Sequence, residues 1–360
     1  MSMYETVLVT GGAGFIGSHL AIGLKTKFPD SHVIAFDNLK RRGSELNLGR
    51  LRDAGVRFVH GDVRCAEDLS SLSRAPQLVV ECSAEPSAQA GYGESPEYLI
   101  NTNLVGCINC LEICRRHRAD FLFLSSSRVY PYVLLNRMKI IEDATRFRLA
   151  AGETLPGVSD WGISEDFSLR GARTLYGASK LASELLIEEY ADAYGVRTII
   201  NRCGLVTGPG QMAKLDQGVF GLWMAAHHFQ LPLRYIGFGG QGKQVRDFLH
   251  VEDLKDLILL QIESFDRYAG EIFNAGGGPQ FSLSLRECTA LCREITGNVI
   301  PLGEDRETRR GDVKLYVTDH RRISELSGWR PIRDARATLG DIHAWMSKET
   351  ATLEPLFTNR

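Results

Sequence analysis

Tyr176 and Lys180, in the run Tyr-Gly-Ala-Ser-Lys, stand four residues apart, which on a helix makes a phenol and an ammonium neighbours on one face. A free tyrosine has a pKa near ~10 and is a poor base at neutral pH, but a cation beside it stabilises the phenolate. Such a phenolate can take the proton of an alcohol. Upstream, an apolar run at 121–125 leads into Ser125, Ser126 and Ser127, and a hydroxyl there can share that proton. A Tyr–Lys pair by itself is more often an ordinary surface feature. For it to do chemistry, the chain must also hold an acceptor for the hydrogen on the alcohol carbon.

A site for such an acceptor is written near the start of the sequence. Thr10 to Gly17 reads TGGAGFIG and follows the apolar Val7, Leu8 and Val9. Gly11 suits a tight strand-to-helix turn, Gly14 lets backbone approach a pyrophosphate, and Gly17 allows helix to pack closely on strand. The helix N-terminus then faces the anion. A second strand, Val33 to Phe36, ends in Asp37, twenty residues past Gly17, where a carboxylate can accept from ribose hydroxyls. Asp37 favours NAD over NADP, and Lys40, Arg41 and Arg42 just beyond it are the residues able to offset that preference. A third strand, Val56 to His60, leads to Gly61 and Asp62, a carboxylate within reach of an adenine amino group. Lys180 has a second use here, holding the nicotinamide ribose.

Composition narrows the alternatives. A 360-residue chain with 44% hydrophobic and 24% charged residues is globular in character, with one large core or two smaller ones. A formal net charge of -2 gives no electrostatic case for nucleic acid. No apolar run approaches the ~20 residues of a membrane span, and a strand begins almost at once, so the expected location is cytoplasmic. The eight cysteines read as thiols, not as disulfides or metal ligands. Cys107, Cys110 and Cys114 share one helical face, Cys288 and Cys292 another, and no partner histidine accompanies them.

The elements that position these residues follow from periodicity. Strand-like runs at 6–10, 32–36, 56–59, 78–82, 121–125 and 197–202 alternate with helical stretches, the best being 97–117 and 178–195. The expected fold is α/β, a Rossmann-type doubly wound parallel sheet over 1–205, with a smaller C-terminal α/β substrate-binding lobe over 206–350. The two are expected to interleave, because a strand near 271–274 suits the main sheet. Helices are expected at 253–264, 284–296 and 335–347.

With these motifs in place, the chain resembles the nucleotide-sugar epimerases and dehydratases of the extended short-chain dehydrogenase/reductase superfamily. The likeness spans TGGAGFIG, FDN at Phe36 to Asn38, GDVR at Gly61 to Arg64, SSSRVY at Ser125 to Tyr130, YGASK, and RDFLHVEDL at Arg246 to Leu254. It implies an NAD-dependent enzyme with Tyr176, Lys180 and Ser126 as catalytic residues, Ser126 lying four before the tyrosine of the VY pair. Cofactor contacts fall on Gly11, Gly14, Phe15, Ile16, Gly17, Asp37, Asn38, Asp62, Val63, Ser83, Ala84, Asn103 and Lys180. Three segments are similar to the CDP-paratose 2-epimerase (CDP-tyvelose epimerase) group: FDNLKRRG, LDQGVFGLW at Leu215 to Trp223, and GKQVRDFLHVEDL at Gly242 to Leu254. Substrate contacts are expected from Ser127, Arg128, Gln217, Gly218, Arg246 and Arg309, the two last as guanidinium ligands of a diphosphate, with Arg310 the alternative to its neighbour Arg309. The resemblance also implies a homodimer built on helices 97–117 and 178–195, and no metal.

Departures from the group lie around the sugar. Glu81-Cys-Ser-Ala-Glu85 stands where the group has His-Leu-Ala-x-Gln, Val129-Tyr130-Pro131 replaces VYG, and Arg202-Cys-Gly precedes Thr207-Gly-Pro-Gly-Gln211 in place of a YGGRQ-like turn. The expected reaction is inversion at carbon 2 of a CDP-3,6-dideoxyhexose through a keto sugar. A UDP-glucose-type 4-epimerase shares the same triad. A 4,6-dehydratase needs an Asp-Glu pair where this chain has Ser127 and Arg128, and a non-catalytic NAD sensor would be expected to lack Tyr176 or Lys180.

Overall fold

A computed structural model describes residues 4–213 and 217–358. Its main sheet has seven strands in the spatial order Glu271–Ala275, Thr198–Cys203, Asp120–Ser126, Leu78–Glu81, Thr6–Thr10, His32–Asp37, Arg57–His60. The pairings from Asp120–Ser126 through Arg57–His60 are parallel. Parallel strands need helical crossovers, and these cover both faces, so the central strands are buried along their whole length. That is why they read as unbroken apolar runs. The strand expected near 271–274 does join this sheet.

The chain divides into two compact units, each drawn from three stretches of sequence. One comprises 1–129, 175–202 and 255–273; the other comprises 130–174, 203–254 and 274–360. The first unit's core clusters Leu8, Ile34, Phe36, Val79, Phe121 and Phe123 with Cys107, Cys110 and Cys114. In the second, Phe220, Trp223 and Met224 pack with Cys288, Cys292, Ile342 and Met346. All eight cysteines are free thiols.

Two helices of the first unit matter for the site. The stretch expected as one helix over 97–117 consists of Glu97–Ile100 and Gly106–His117 joined by a π-helical turn, Asn101–Val105. Such a turn holds one extra residue per helical turn and recurs at functional sites. The Leu175–Tyr194 helix starts three residues earlier than its periodicity indicated, so Tyr176 and Lys180 both lie in its first two turns. The remaining helices, Val251–Glu263, Leu285–Thr296 and Ala335–Lys348, fall within two residues of expectation. Ser284 and Glu287 form a capping box that starts the second of these.

The first unit also buries an ion pair. Arg202 donates to Glu184 at 2.7 Å, with the two side chains 5% and 2% exposed, and Ser125 adds a 2.5 Å hydrogen bond to the same carboxylate. Removing one partner strands the other charge in the interior. Glu184→Ala is expected to cost about 3–5 kcal/mol in denaturant unfolding. A loss below about 1 kcal/mol would place the pair with exposed ion pairs instead.

Candidate active site

The glycine turn is built for contact with something other than side chains. Gly11 has φ +61, and a Cβ there would lie 2.9 Å from the Cys82 carbonyl carbon. A Cβ on Gly17 would lie 2.1 Å from the Gly11 carbonyl oxygen, and one on Gly14 3.1 Å from the same atom. Gly12, which the fingerprint did not single out, is as constrained: its Cβ would sit 2.6 Å from Ala35 Cα. The helix Phe15–Lys27 begins at Gly14 with no side-chain cap. Its first N–H groups therefore point outward without partners from a cap, which suits an anion such as a pyrophosphate. Phe15 and Ile16 are half-buried in that first turn.

At the ends of the neighbouring strands the carboxylates are held in place. Asp37 accepts from the N–H of Ala13 at 3.1 Å and of Leu39 at 2.8 Å. Burial pushes its carboxyl above the usual range, and those N–H bonds oppose the push. Asp62 takes two bonds from the Arg64 guanidinium and one from Asn38 Nδ2 at 2.8 Å. The Arg64 bonds hold its carboxyl down at about 2. Lys40 lies over the ring of Tyr98, 4.8 Å from its centroid, and Val63 is buried.

The loop after Leu78–Glu81 comes close to the glycine turn, as the short approach to Cys82 shows. Ser83 is buried, and Ala84 is half-buried. Asn103, from the π turn, spends its amide within the chain. It accepts from Glu85 N–H at 2.8 Å and donates to Glu85 O at 3.2 Å and Ser179 Oγ at 3.1 Å. Its place is to tie this loop to the helix that carries Tyr176 and Lys180, leaving at most a lone pair for a cofactor. Sequence spacing gave no sign of this link, because it joins residues 18 and 76 positions apart.

Lys180 is 2% exposed and donates to the Leu124 carbonyl at 2.9 Å. Burial pulls the ammonium's pKa down, the charges of Glu81 and then Tyr176 push it up, and the net direction is up. Tyr176 is half-buried on the same helix face. The serine triplet separates by role. Ser125 donates to Glu184, whereas Ser126 Oγ accepts from Arg128 N–H at 3.2 Å. Ser127 and Arg128 follow in a short 3-10 turn, both half-buried. Burial lifts the Cys107, Cys110 and Cys114 thiols, which makes them neutral packing groups.

In the second unit, Gly218 has φ +74 and precedes the Val219–His228 helix. Gln217 has a buried, unpartnered Oε1; Leu215 and Asp216 of the same segment lie outside the described residues. The Thr207–Gln211 turn is closed by a 2.8 Å bond from Thr207 Oγ1 to Gln211 Oε1. Arg246 lies on the Val245–His250 strand, beside Leu283 and Tyr316, and donates to Val245 O at 2.7 Å. Arg309 is half-buried and its carbonyl accepts from Asp312 N–H at 3.2 Å, while Arg310 is exposed. Among the described residues no group of three or more His, Cys, Asp or Glu is placed for a metal, and no helix is long and apolar enough to cross a membrane.

A dinucleotide cradle at the switch point of a parallel sheet, with a Tyr–Lys helix beside it, defines a nicotinamide-dependent enzyme of the short-chain dehydrogenase/reductase kind. A model of the NAD dependent epimerase/dehydratase family matches residues 7–276. The chain belongs to that family, within the extended short-chain dehydrogenase/reductase superfamily, and NAD is its cofactor. It is 29% identical to a CDP-paratose 2-epimerase of Salmonella typhi, over 95% of this chain and 99% of the other. It is 30% identical to a dTDP-glucose 4,6-dehydratase of Streptomyces griseus, over 98% of each. Among solved structures, the Thermus thermophilus UDP-glucose 4-epimerase in complex with NAD has a TM-score of 0.76 and 25% identity, covering 95% of this chain and 99% of that one.

The glycine cradle predicts its own test. Gly17→Ala forces a methyl into the Gly11 carbonyl, and overpacking of this kind costs about 1–3 kcal/mol. NAD affinity, read by calorimetric titration, is expected to fall roughly tenfold or more. Unchanged affinity would mean the turn is not the phosphate site.

Proposed function

We propose that the protein is a nucleotide-sugar epimerase that inverts carbon 2 of a CDP-3,6-dideoxyhexose of the paratose/tyvelose type. The observation that carries the reaction class is the Tyr176–Lys180 pair on the helix packed against the strand that ends in Ser126, with Ser127 and Arg128 where an elimination site needs an acid and a base. When bound, NAD supplies reversible two-electron oxidation of the carbinol carbon. Tyr176 then takes the hydroxyl proton, Ser126 orients that oxygen, and Lys180 holds positive charge beside the phenolate. The keto sugar would turn within the site so that the hydride taken from the carbon could come back to its opposite face while Tyr176 returns the proton, which inverts configuration.

The choice of sugar rests on full-length likeness to a CDP-paratose 2-epimerase and on the GKQVRDFLHVEDL segment. In this reading Arg246 and Arg309 bind the diphosphate, and Gln217 and Gly218 contact the sugar nucleotide. The likeness to a UDP-glucose 4-epimerase supports a second reading, since moving the sugar within one site changes the carbon attacked. The intact Tyr176 and Lys180 speak against a non-catalytic NAD sensor.

Proton NMR in deuterated water decides between the sugars. CDP-paratose and CDP-tyvelose are expected to interconvert with no deuterium entering the sugar, while UDP-glucose and UDP-galactose stay unchanged; the opposite pattern selects the 4-epimerase. Tyr176→Phe is expected to abolish turnover and still bind NAD, so an active variant would sink the mechanism. We further infer a homodimer formed through the helical stretch 97–117 and the Leu175–Tyr194 helix, because Leu185 and Tyr194 on the latter are 57% and 58% exposed. Light scattering at the monomer mass would refute it.

A further inference from the structure

Beside Lys180 lies a carboxylate that the proton transfer just described does not use. Glu81 ends the Leu78–Glu81 strand with its side chain 2% exposed, 3.8 Å from Nζ of the equally buried Lys180. The Ser83 N–H and hydroxyl and the Thr10 hydroxyl also approach the carboxylate and favour its charged form. A carboxylate this deep is costly to ionise, and among the described residues the cation facing it is the ammonium of Lys180.

The separation decides what such a group can do. Charge-assisted hydrogen bonds from an ammonium run at about 2.7–2.9 Å. At 3.8 Å the carboxylate is felt as a charge but captures no proton. An ammonium has three donors. One goes to Leu124 O at 2.9 Å, and the nitrogen sits 4.4 Å from the centroid of the Phe123 ring, which stabilises positive charge without accepting a classical hydrogen bond. Two donors stay available for acceptors outside the chain.

We propose that Glu81 is a positioning residue, a buried counter-charge that keeps Lys180 an ammonium without consuming its donors and so sets the pH range in which Tyr176 serves as base. This rests on the reading of Tyr176 and Lys180 as the working pair. The other titratable groups facing the two are Cys107 and Cys110 from the Gly106–His117 helix, Cys82 from the end of Glu81's own strand, and Tyr176 from the Lys180 helix. Burial lifts the Cys107 and Cys110 thiols, which keeps them neutral. Burial also pushes the Glu81 carboxyl up; the Lys180 charge and then bonds from Ser83 and Thr10 oppose the push, and the net direction is up.

The sign of the effect is fixed. Removing a negative charge lowers the pKa of every group it faces, whether phenol or ammonium. Glu81→Gln preserves shape and removes charge, so both limbs of the pH profile of turnover are expected to move toward acid by on the order of one unit. Glu81→Asp keeps the charge one methylene further away and should move them the same way by less. A side chain that merely filled space would change the height of the profile and leave its limbs in place.

A second readout needs no turnover. Glu81→Gln strands a buried cation and is expected to lower the thermal midpoint, whereas Glu81→Gln with Lys180→Met removes both charges and should recover most of the loss. Unmoved limbs, or single losses that simply add in the double variant, would overturn the proposal. Those results alongside an inactive Tyr176→Phe defeat the role of Glu81 alone; an active Tyr176→Phe defeats the underlying reading as well.

Discussion

The register between the first strand and the fourth, in which Thr10 faces Glu81, is the constraint on which the site depends. These two strands run in parallel at the point where the sheet order reverses, so their carboxyl ends open side by side. Everything placed after them inherits that alignment. The glycine turn lies against Cys82 with no space for a side chain at Gly11, and the loop after Cys82 carries Ser83 and Ala84 onward beside it. A slip of one residue would turn Glu81 to the opposite face of the sheet and take the counter-charge from Lys180.

Among the described residues the first unit buries the cations Arg202 and Lys180, and each is matched. Arg202 is held bidentately by Glu184, which also takes the Ser125 hydroxyl, so that pair is saturated. Lys180 is matched more loosely. Its contacts are a carbonyl, a ring face and a carboxylate beyond hydrogen-bond range. The contrast fits their places. A saturated pair fixes the strand that presents the serines and the helix that presents Tyr176, while a partly satisfied ammonium keeps donors for chemistry. Ser125 and Ser126, adjacent in sequence, are separated by the same logic, since strand alternation sends one hydroxyl to Glu184 and the other away from it.

The π turn at Asn101–Val105 has a comparable effect on a smaller scale. It presents Asn103 so that one amide ties the Glu85 backbone to Ser179. A regular helix would have advanced that side chain around the axis by the extra residue. The loop after the fourth strand and the helix of Tyr176 are thereby held together without a covalent link.

The residue order by itself determined the parallel sheet, the dinucleotide fingerprint with its acidic strand end, the Tyr–Lys spacing and the chemical class that these imply. Those features are local: unbroken apolar runs, glycines at fixed offsets, and an i, i+4 pair are all read within a few residues. The sequence also marked Glu81 as a departure but gave no use for it, and it passed over Gly12, Glu184 and the tie made by Asn103. Only the tertiary structure decided those. The meeting of Glu81 with Lys180 joins residues 99 positions apart through strand register and helix packing. It also decided that residues 130–174 belong with the second unit and 255–273 with the first, because compactness is set by which surfaces bury one another and not by order along the chain.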